Sequence, residues 1–350
     1  MKLVIDYRLA ASSTRGMARY CREMTKEIIK MVSLKNEVLL YVDKGMKLDF
    51  LPDSIKYRIL PTYNFIIGEQ FYLPYYLGID KVDCLWSPSN TFPLWKRSGT
   101  KYYATIHDLI FLNPSEGKMS LKQTIGRLYR KCIIKMGIHK LDGCFTVSEY
   151  SKKQIESLFN MKDVTVTPNC IGSFLDRLNY LKSKDRYNRE DFFFTLSGDA
   201  PSKNFDLLFN YFILHPQQKL VVGGFASNSS YRTKSPSNIM FLPSGIPDDE
   251  LIGYYLRCKC FLFISKQEGF GIPILEALAC GCKIIASDCT AIPEIAGENA
   301  LYINPNSMEE LYGAVEKSNN MVLDSEKVNK TLVKYQYWNS SARKLMEQIF

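Results

Sequence analysis

Along the first half of the chain, short apolar runs rich in β-branched and aromatic residues alternate with longer stretches of helical periodicity. The runs are Leu3–Asp6, Val38–Val42, Cys84–Ser87, Tyr102–His107, Gly143–Val147 and Val164–Thr167. Strands of this length separated by helices predict a parallel sheet covered on both faces. The charged and polar segment Asp185–Asp191 interrupts the pattern as a linker would, and the alternation then resumes. The second half predicts strands at Phe192–Leu196, Leu220–Val222, Ile239–Leu242, Cys260–Ile264, Lys283–Ala286 and Ala300–Ile303. Helices are predicted near Phe205–Leu214, Asp248–Leu256, Ile272–Ala279 and Ser307–Lys317. The expected fold class is α/β, with two doubly wound domains facing each other across a cleft, over residues 1–185 and 186–335, and a closing segment 336–350. No internal repeat points to a solenoid.

Ligands of such sheets bind where the strands end, so the informative positions are those just after each predicted strand. These are Arg8–Tyr20, His107 and Asp108, Ser197–Asn204, Ser265–Glu276 and Ser287–Glu294.

Composition narrows the class. Apolar residues make up 46% of the 350 and charged residues 23%, which suits a globular enzyme and excludes a disordered or fibrous chain. No stretch approaches the roughly 20 apolar residues of a spanning helix. The start, Met1–Asp6, reads as a first strand and not as a secretory signal. Ten cysteines in this setting read as reduced packing residues, and the spacings Cys258-x-Cys260 and Cys280-x-Cys282 do not fit a zinc site. No metal and no cofactor is expected. The formal charge of +9 divides unevenly: residues 1–170 carry 26 Lys and Arg against 16 Asp and Glu (+10), the remainder 19 against 20 (−1). The excess in the first half points to an anionic partner there: a phospholipid surface, a lipid diphosphate or nucleic acid.

The strand Cys260–Ile264 runs into Ser-Lys-Gln-Glu268-Gly-Phe-Gly271-Ile-Pro273, after which Ile-Leu-Glu276-Ala-Leu-Ala has helical spacing. Gly269 and Gly271 let the backbone approach a ligand, Pro273 suits a first helical turn, and the helix start offers unpaired N–H groups and partial positive charge. That combination fits a diphosphate, with one carboxylate on each side of the ligand. Glu276 would face a ribose diol and Glu268 a sugar. The glycines alone fit equally a plain strand-to-helix turn.

The longer stretch from Glu268 through Ala-Leu-Ala-Cys-Gly-Cys-Lys-Ile-Ile-Ala-Ser287, with Ile292-Pro-Glu-Ile-Ala-Gly297 and Leu301-Tyr-Ile-Asn-Pro305 after it, resembles the donor-site signature of glycosyltransferase family 4. Looser resemblances extend along the chain. Gly16-Met-Ala-Arg-Tyr20 is similar to the family's first loop, Ile106–Phe111 to its central histidine motif, Val147–Ser151 to its next strand-to-helix turn, and Trp338–Arg343 to its closing helix.

The resemblance implies the GT-B architecture of two Rossmann-like domains, the first binding acceptor and the second the nucleotide-sugar. The closing helix would cross back to the first domain. It also implies sugar transfer with retention, as in bacterial mannosyl- and rhamnosyltransferases. Glu268, His107 and Lys203 become the catalytic candidates, with Glu268 orienting the sugar. Gly16, Arg19, Ser202, Lys203, Gly269, Phe270, Gly271, Ile272 and Glu276 become the donor-binding candidates. Two positions depart from the pattern. Ala18 stands where relatives often have a second glycine, and Ser202 where many have arginine, which leaves the second phosphate-neutralising charge unassigned. Arg19 reads either as a phosphate contact or as a helix-face residue.

Between Gly117 and Leu141 there is no acidic residue, while Lys118, Lys122, Arg127, Arg130, Lys131, Lys135 and Lys140 are basic. Leu121, Ile125, Leu128, Cys132 and Met136 recur there at helical spacing. The stretch reads either as a basic amphipathic helix on an anionic membrane surface, or as a solvated helix with its apolar face in the core. The aromatic stretch Tyr63–Tyr76 is open in the same way, between an acceptor surface and interior packing.

The expected function is transfer of a hexose from a nucleotide diphosphate-sugar, GDP-mannose first and UDP-sugars next. The acceptor is expected to be a glycolipid or oligosaccharide of surface polysaccharide (O-antigen or capsule) assembly, at the inner face of the cytoplasmic membrane. The competing readings are another GT-B nucleotide-sugar reaction, epimerase or phosphorylase, and an anion- or nucleic-acid-binding protein. No nucleic-acid motif accompanies the basic half.

Overall fold

The computed structural model describes residues 1–10, 16–32, 36–46, 55–113 and 121–350, with the backbone alone at Lys122. They form two compact units, each with its own sheet and core. The first takes in residues 1–113 and 121–169 with Tyr337–Phe350, and the second Cys170–Gln336.

The first unit contains β1 (Lys2–Asp6), α1 (Met17–Met31), β2 (Glu37–Asp43), β3 (Lys56–Leu60), α2 (Phe65–Ile67), a π-helical turn (Gly68–Tyr72) and α3 (Leu73–Ile79). Then follow β4 (Cys84–Ser87), β5 (Lys101–Thr105), α4 (Leu121–Gly137), β6 (Gly143–Thr146), α5 (Glu149–Phe159) and β7 (Thr165–Val166). All strand pairs are parallel and the order is β3-β2-β1-β4-β5-β6-β7. Central strands covered on both faces read as continuous apolar runs, and Leu3, Val4 and Ile5 are all fully buried. β3 was not visible in that pattern. It is an edge strand, and of Lys-Tyr-Arg-Ile-Leu only Leu60 is buried.

The second unit contains α6 (Gly172–Lys184), β8 (Glu190–Leu196), α7 (Phe205–Leu214), β9 (Leu220–Gly223), α8 (Ser230–Lys234), β10 (Ile239–Phe241) and α9 (Asp248–Arg257). After these come β11 (Cys258–Phe263), α10 (Ile272–Ala279), β12 (Ile284–Ser287), α11 (Ile292–Ala296), β13 (Leu301–Ile303), α12 (Met308–Asn320) and α13 (Ser325–Lys334). Its sheet is parallel, in the order β10-β9-β8-β11-β12-β13. Phe193, Phe205, Tyr211, Phe212, Val222 and Leu262 fill one face of it. The chain then returns to the first unit as α14 (Trp338–Ile349), packed on α1.

The expected division at 185/186 and the unit boundary differ. The chain enters the second unit at Cys170, and α6 packs against α9 there. The charged segment Asp185–Asp191 is also only partly a linker, because Glu190 and Asp191 begin β8. Its Arg189 donates to the carbonyls of Tyr255, Cys258, Cys280 and Gly281.

Candidate active site

In the second unit the strand order reverses between β8 and β11, so the loops leaving these two strands part and open a crevice at their carboxyl ends. Ser202 and Lys203 come from the first of these loops, and Glu268 to Gly271 from the second. A backbone bond from Lys266 N to Ser202 O, 2.7 Å, ties the loops together. Asn204 locks them further. It is buried in the left-handed conformation at φ 55°, and its amide donates to Ile264 O (3.1 Å) and Pro305 O (2.6 Å).

This frame brings Lys203 Nζ to 2.6 Å from Glu268 Oε1. Two residues assigned to one site from distant parts of the sequence are therefore an ion pair. Gly271 precedes α10 at φ 110°, a conformation that L side chains rarely adopt. A Cβ there would also lie 3.2 Å from Ile274 Cδ1. No side chain caps α10, no acidic residue occupies its first turn, and Pro273 sits in that turn. Its positive end thus adjoins the Lys203–Glu268 pair. Phe270 is turned inward with its ring edge-on to Tyr335, centroids 5.5 Å apart, so it offers backbone and not side chain to a ligand. Glu276 is buried on α10 and accepts from Tyr255 Oη at 3.2 Å.

Beside this loop, at the ends of β12 and β13, lies a cavity of about 580 Å³ whose walls include Lys266, Asp288, Cys289, Asn304 and Glu310. Lys266 was passed over in the sequence. The signal for it is its place two residues before Glu268, and its backbone amide bonds Ser202 O, at the position where the family resemblance implies arginine. Cys258 and Cys282, both buried, have sulfurs 3.7 Å apart. Among the described residues no group of three or more His, Cys, Asp or Glu is placed to hold a metal.

The first unit holds Gly16, Arg19 and His107. Gly16 starts α1 at φ 60°, and Arg19 lies half-buried on that helix. His107 follows β5, buried, with Nε2 2.8 Å from Pro88 O. A carbonyl accepts, so Nε2 carries the proton. Burial lowers the ring's pKa to about 4, which keeps the imidazole neutral and leaves Nδ1 as an acceptor. Asp108 Oδ1 accepts from Ile110 N, 3.0 Å away, within its own turn.

At the strand ends of the same sheet, a buried cluster escaped the sequence reading. The Arg8 guanidinium grips Asp6 at 2.7 Å through Nε and Nη2, meets Glu69 at 3.5 Å and Asp43 at 3.8 Å, and donates to Phe65 O. Thr91 and Tyr129 donate to Glu69, which rides on the π-helical turn. Burial raises the Glu69 pKa to about 7 and that of Asp43 to about 6.

Lys118 lies outside the described residues, as does the side chain of Lys122. On α4 the apolar positions Leu121, Ile125, Leu128, Cys132 and Met136 face solvent, and the helix reaches the core through Ile133 and Ile134. The reading that buries this stripe is overturned. Arg127 and Arg130 lean inward, the first donating to Phe111 O and the second lying over the Phe111 ring. Of the expected membrane-facing cations, Lys131 and Lys135 are engaged in no such contact. The aromatic stretch divides: Leu73 is buried, whereas Tyr63, Ile67, Phe71 and Tyr75 are exposed.

Residues 176–337 match the family model described as glycosyl transferases group 1. The chain is 31% identical over 150 residues to the serotype-specific mannosyltransferase WbdA of Escherichia coli, a match covering 39% of this chain and 18% of that protein. It is 27% identical over 192 residues to O-antigen chain mannosyltransferase B of Escherichia coli, covering 49% of this chain and 50% of that one. The chain thus spans half or less of these curated relatives. The apo form of lipopolysaccharide outer core galactosyltransferase WaaB shares the fold, with a TM-score of 0.68 over 100% of this chain and 99% of that one at 15% identity. Residues 176–337 are thus similar to the group 1 glycosyl transferases, and the two parallel sheets give the chain the GT-B fold that the resemblance of Glu268–Pro305 to glycosyltransferase family 4 implied.

Proposed function

We propose that the protein is a retaining glycosyltransferase that moves a hexose from a nucleotide diphosphate-sugar, with GDP-mannose the first candidate, to a lipid-linked or saccharide acceptor in surface polysaccharide assembly. The observation that carries this reading is the Lys203–Glu268 pair beside the uncapped start of α10 at the switch point of the second sheet. A lysine held against a carboxylate at a positive helix end is ready to exchange that carboxylate for phosphate. Donor binding turns Lys203 to the diphosphate and frees Glu268 to accept from a sugar hydroxyl. Glu276 receives the ribose diol.

Departure of the nucleotide leaves two negative charges to be met, and electrostatic stabilisation of that leaving group is the principal rate effect. Lys203, Lys266 and the amides at the start of α10 supply it without a metal. In this reading Lys266 stands in for the arginine that Ser202 replaces. His107, neutral and with Nδ1 as acceptor, contacts a sugar hydroxyl and does not act as a charged acid. The acceptor side belongs to the basic first unit, whose Lys131 and Lys135 meet an anionic membrane surface. This attachment is read as peripheral; no helix among the described residues is long and apolar enough to cross a membrane.

A thermal-shift screen against nucleotides and nucleotide-sugars identifies the donor, since a true donor stabilises by mass action. With that donor, Lys203→Ala is expected to lower transfer by about 10- to 100-fold, the worth of a charge-assisted phosphate contact, and Glu268→Ala to lower it at least as much. Full transfer activity in Glu268→Ala would sink the assignment. A product with inverted anomeric configuration would sink retention, and a product with an unchanged sugar count would move the reaction to epimerisation.

A further inference from the structure

Three neighbouring elements of the first unit present apolar side chains to solvent. On α4, Leu121 is 77% and Leu128 60% exposed, with Ile125, Cys132 and Met136 on the same stripe. On the segment from α2 to α3, Ile67, Phe71, Tyr75 and Ile79 recur every fourth residue and are all exposed, Phe71 at 66%. Between these stripes lies the loop after β4, where Trp95 is 73% exposed. Side-chain and backbone contacts join the three elements. Tyr129 of α4 donates to Glu69, and Gln70 bonds both Tyr129 and the Leu94 amide. Lys140, just beyond α4, donates to Leu94 O, and the Arg97 guanidinium lies over Gly78 of α3.

Large apolar side chains exposed together on three adjoining elements mark an interaction surface. Its charges say which. Arg97, Lys131, Lys135 and Lys140 stand around it, whereas Lys96 and Asp142 pair with each other and Glu69 is buried. An apolar face with tryptophan and tyrosine at its margin and lysines on its flanks matches the boundary between headgroups and acyl chains of an anionic bilayer.

We propose that this surface inserts into the interfacial layer of an anionic membrane, with Trp95, Phe71 and Tyr75 as aromatic anchors, the α4 stripe as the inserted face, and Lys131, Lys135 and Lys140 on lipid headgroups. The proposal deepens the membrane side of the function proposed above and names groups which that reading did not use. Attachment then has an apolar component that survives salt, in addition to the electrostatic one that salt screens.

Trp95 makes the test direct, because the other two tryptophans, Trp86 and Trp338, are buried. The full chain is mixed with phosphatidylcholine vesicles with and without phosphatidylglycerol, at low and high salt. Expected are co-flotation with the anionic vesicles, a blue shift of tryptophan emission on binding, and quenching by brominated lipid chains. A Phe71→Ser, Leu128→Ser variant should lose binding by about tenfold or more, and its residual binding should vanish in high salt. A Lys131→Gln, Lys135→Gln, Lys140→Gln variant should lose the salt-sensitive part. Stabilisation by the nucleotide-sugar should be unchanged in both, which separates this surface from the donor site. Flotation without a shift or quenching of Trp95 overturns insertion. So does lipid-independent dimerisation abolished by Phe71→Ser, Leu128→Ser, which would make a second copy the occupant. If no nucleotide-sugar stabilises the protein while vesicles still shift Trp95, the donor reading fails and this one stands.

Discussion

Glu69 sits with Asp6, Asp43 and Arg8 in a site where three carboxylates share one guanidinium, and all four side chains are buried. Ionising every carboxylate would leave net negative charge away from water, so burial favours a proton on Glu69. Its pKa is raised from 4.5 to about 7. A carboxyl with a raised folded-state pKa binds more protons folded than unfolded. Its contribution to stability is therefore complete below about pH 4.5 and is lost as pH rises through about 7. Glu69→Gln mimics the protonated group at every pH. The melting temperature of wild type relative to Glu69→Gln should accordingly fall by a few degrees between those limits, about the shift expected of a kcal/mol or two in a domain of this size. The comparison also removes the opposing effect of His107, whose lowered pKa destabilises the fold in acid and is common to both proteins. A difference that stays flat with pH would place the proton elsewhere in the cluster.

At the scale of elements, the strands of both sheets were legible because a parallel strand covered on both faces must be an apolar run, and runs such as Leu3–Ile5 and Phe261–Phe263 are unmistakable. β3 was not, since an edge strand needs only one buried side. The orientation of α4 was not either: a stripe at Leu121, Ile125 and Leu128 has the same spacing whether it meets a core or a membrane. Glu268 and Lys203 were legible as a pair of loops after strands, whereas the Arg8 cluster joins positions 6, 8, 43 and 69, which no local pattern connects. Asn204 shows how loops become a site. Its amide spans the loops after β11 and β13, and its left-handed backbone ends the turn that carries Lys203. Asn204→Ala loses both hydrogen bonds and strains the turn, which should destabilise the second unit by about 2–4 kcal/mol in urea unfolding. Asn204→Gly keeps the backbone conformation and should lose less. Both should weaken stabilisation by the donor, because Lys203 is no longer held toward Glu268. Unchanged donor stabilisation in both would show that Lys203 needs no such frame.

For the molecule as a whole, the consequence of the chain path is that the first unit is completed only by its last helix. α14 closes the first unit from the far end of the sequence. Trp338 packs edge-on to Tyr20, whose hydroxyl bonds Thr167 at 2.7 Å and whose ring meets His107. Ser341 donates to Pro168 O, and Tyr103 donates to the carbonyl of Gln348. Leu345 and Ala342 are fully buried in the same face. Leu345→Ala should therefore cost about 2–5 kcal/mol, and the loss should fall on the first unit. Hydrogen exchange measures this by element. Amides of β1, β4 and α1 are expected to exchange faster by about one and a half to three and a half orders of magnitude, what that free energy converts to at 1.4 kcal/mol per tenfold, while those of β8 and β11 keep their protection. Because the second unit has its own core of Phe193, Phe212 and Leu262, nothing in that core depends on Leu345. Equal acceleration in both sheets would mean that the two units unfold as one, and would assign α14 a role in the stability of the entire chain.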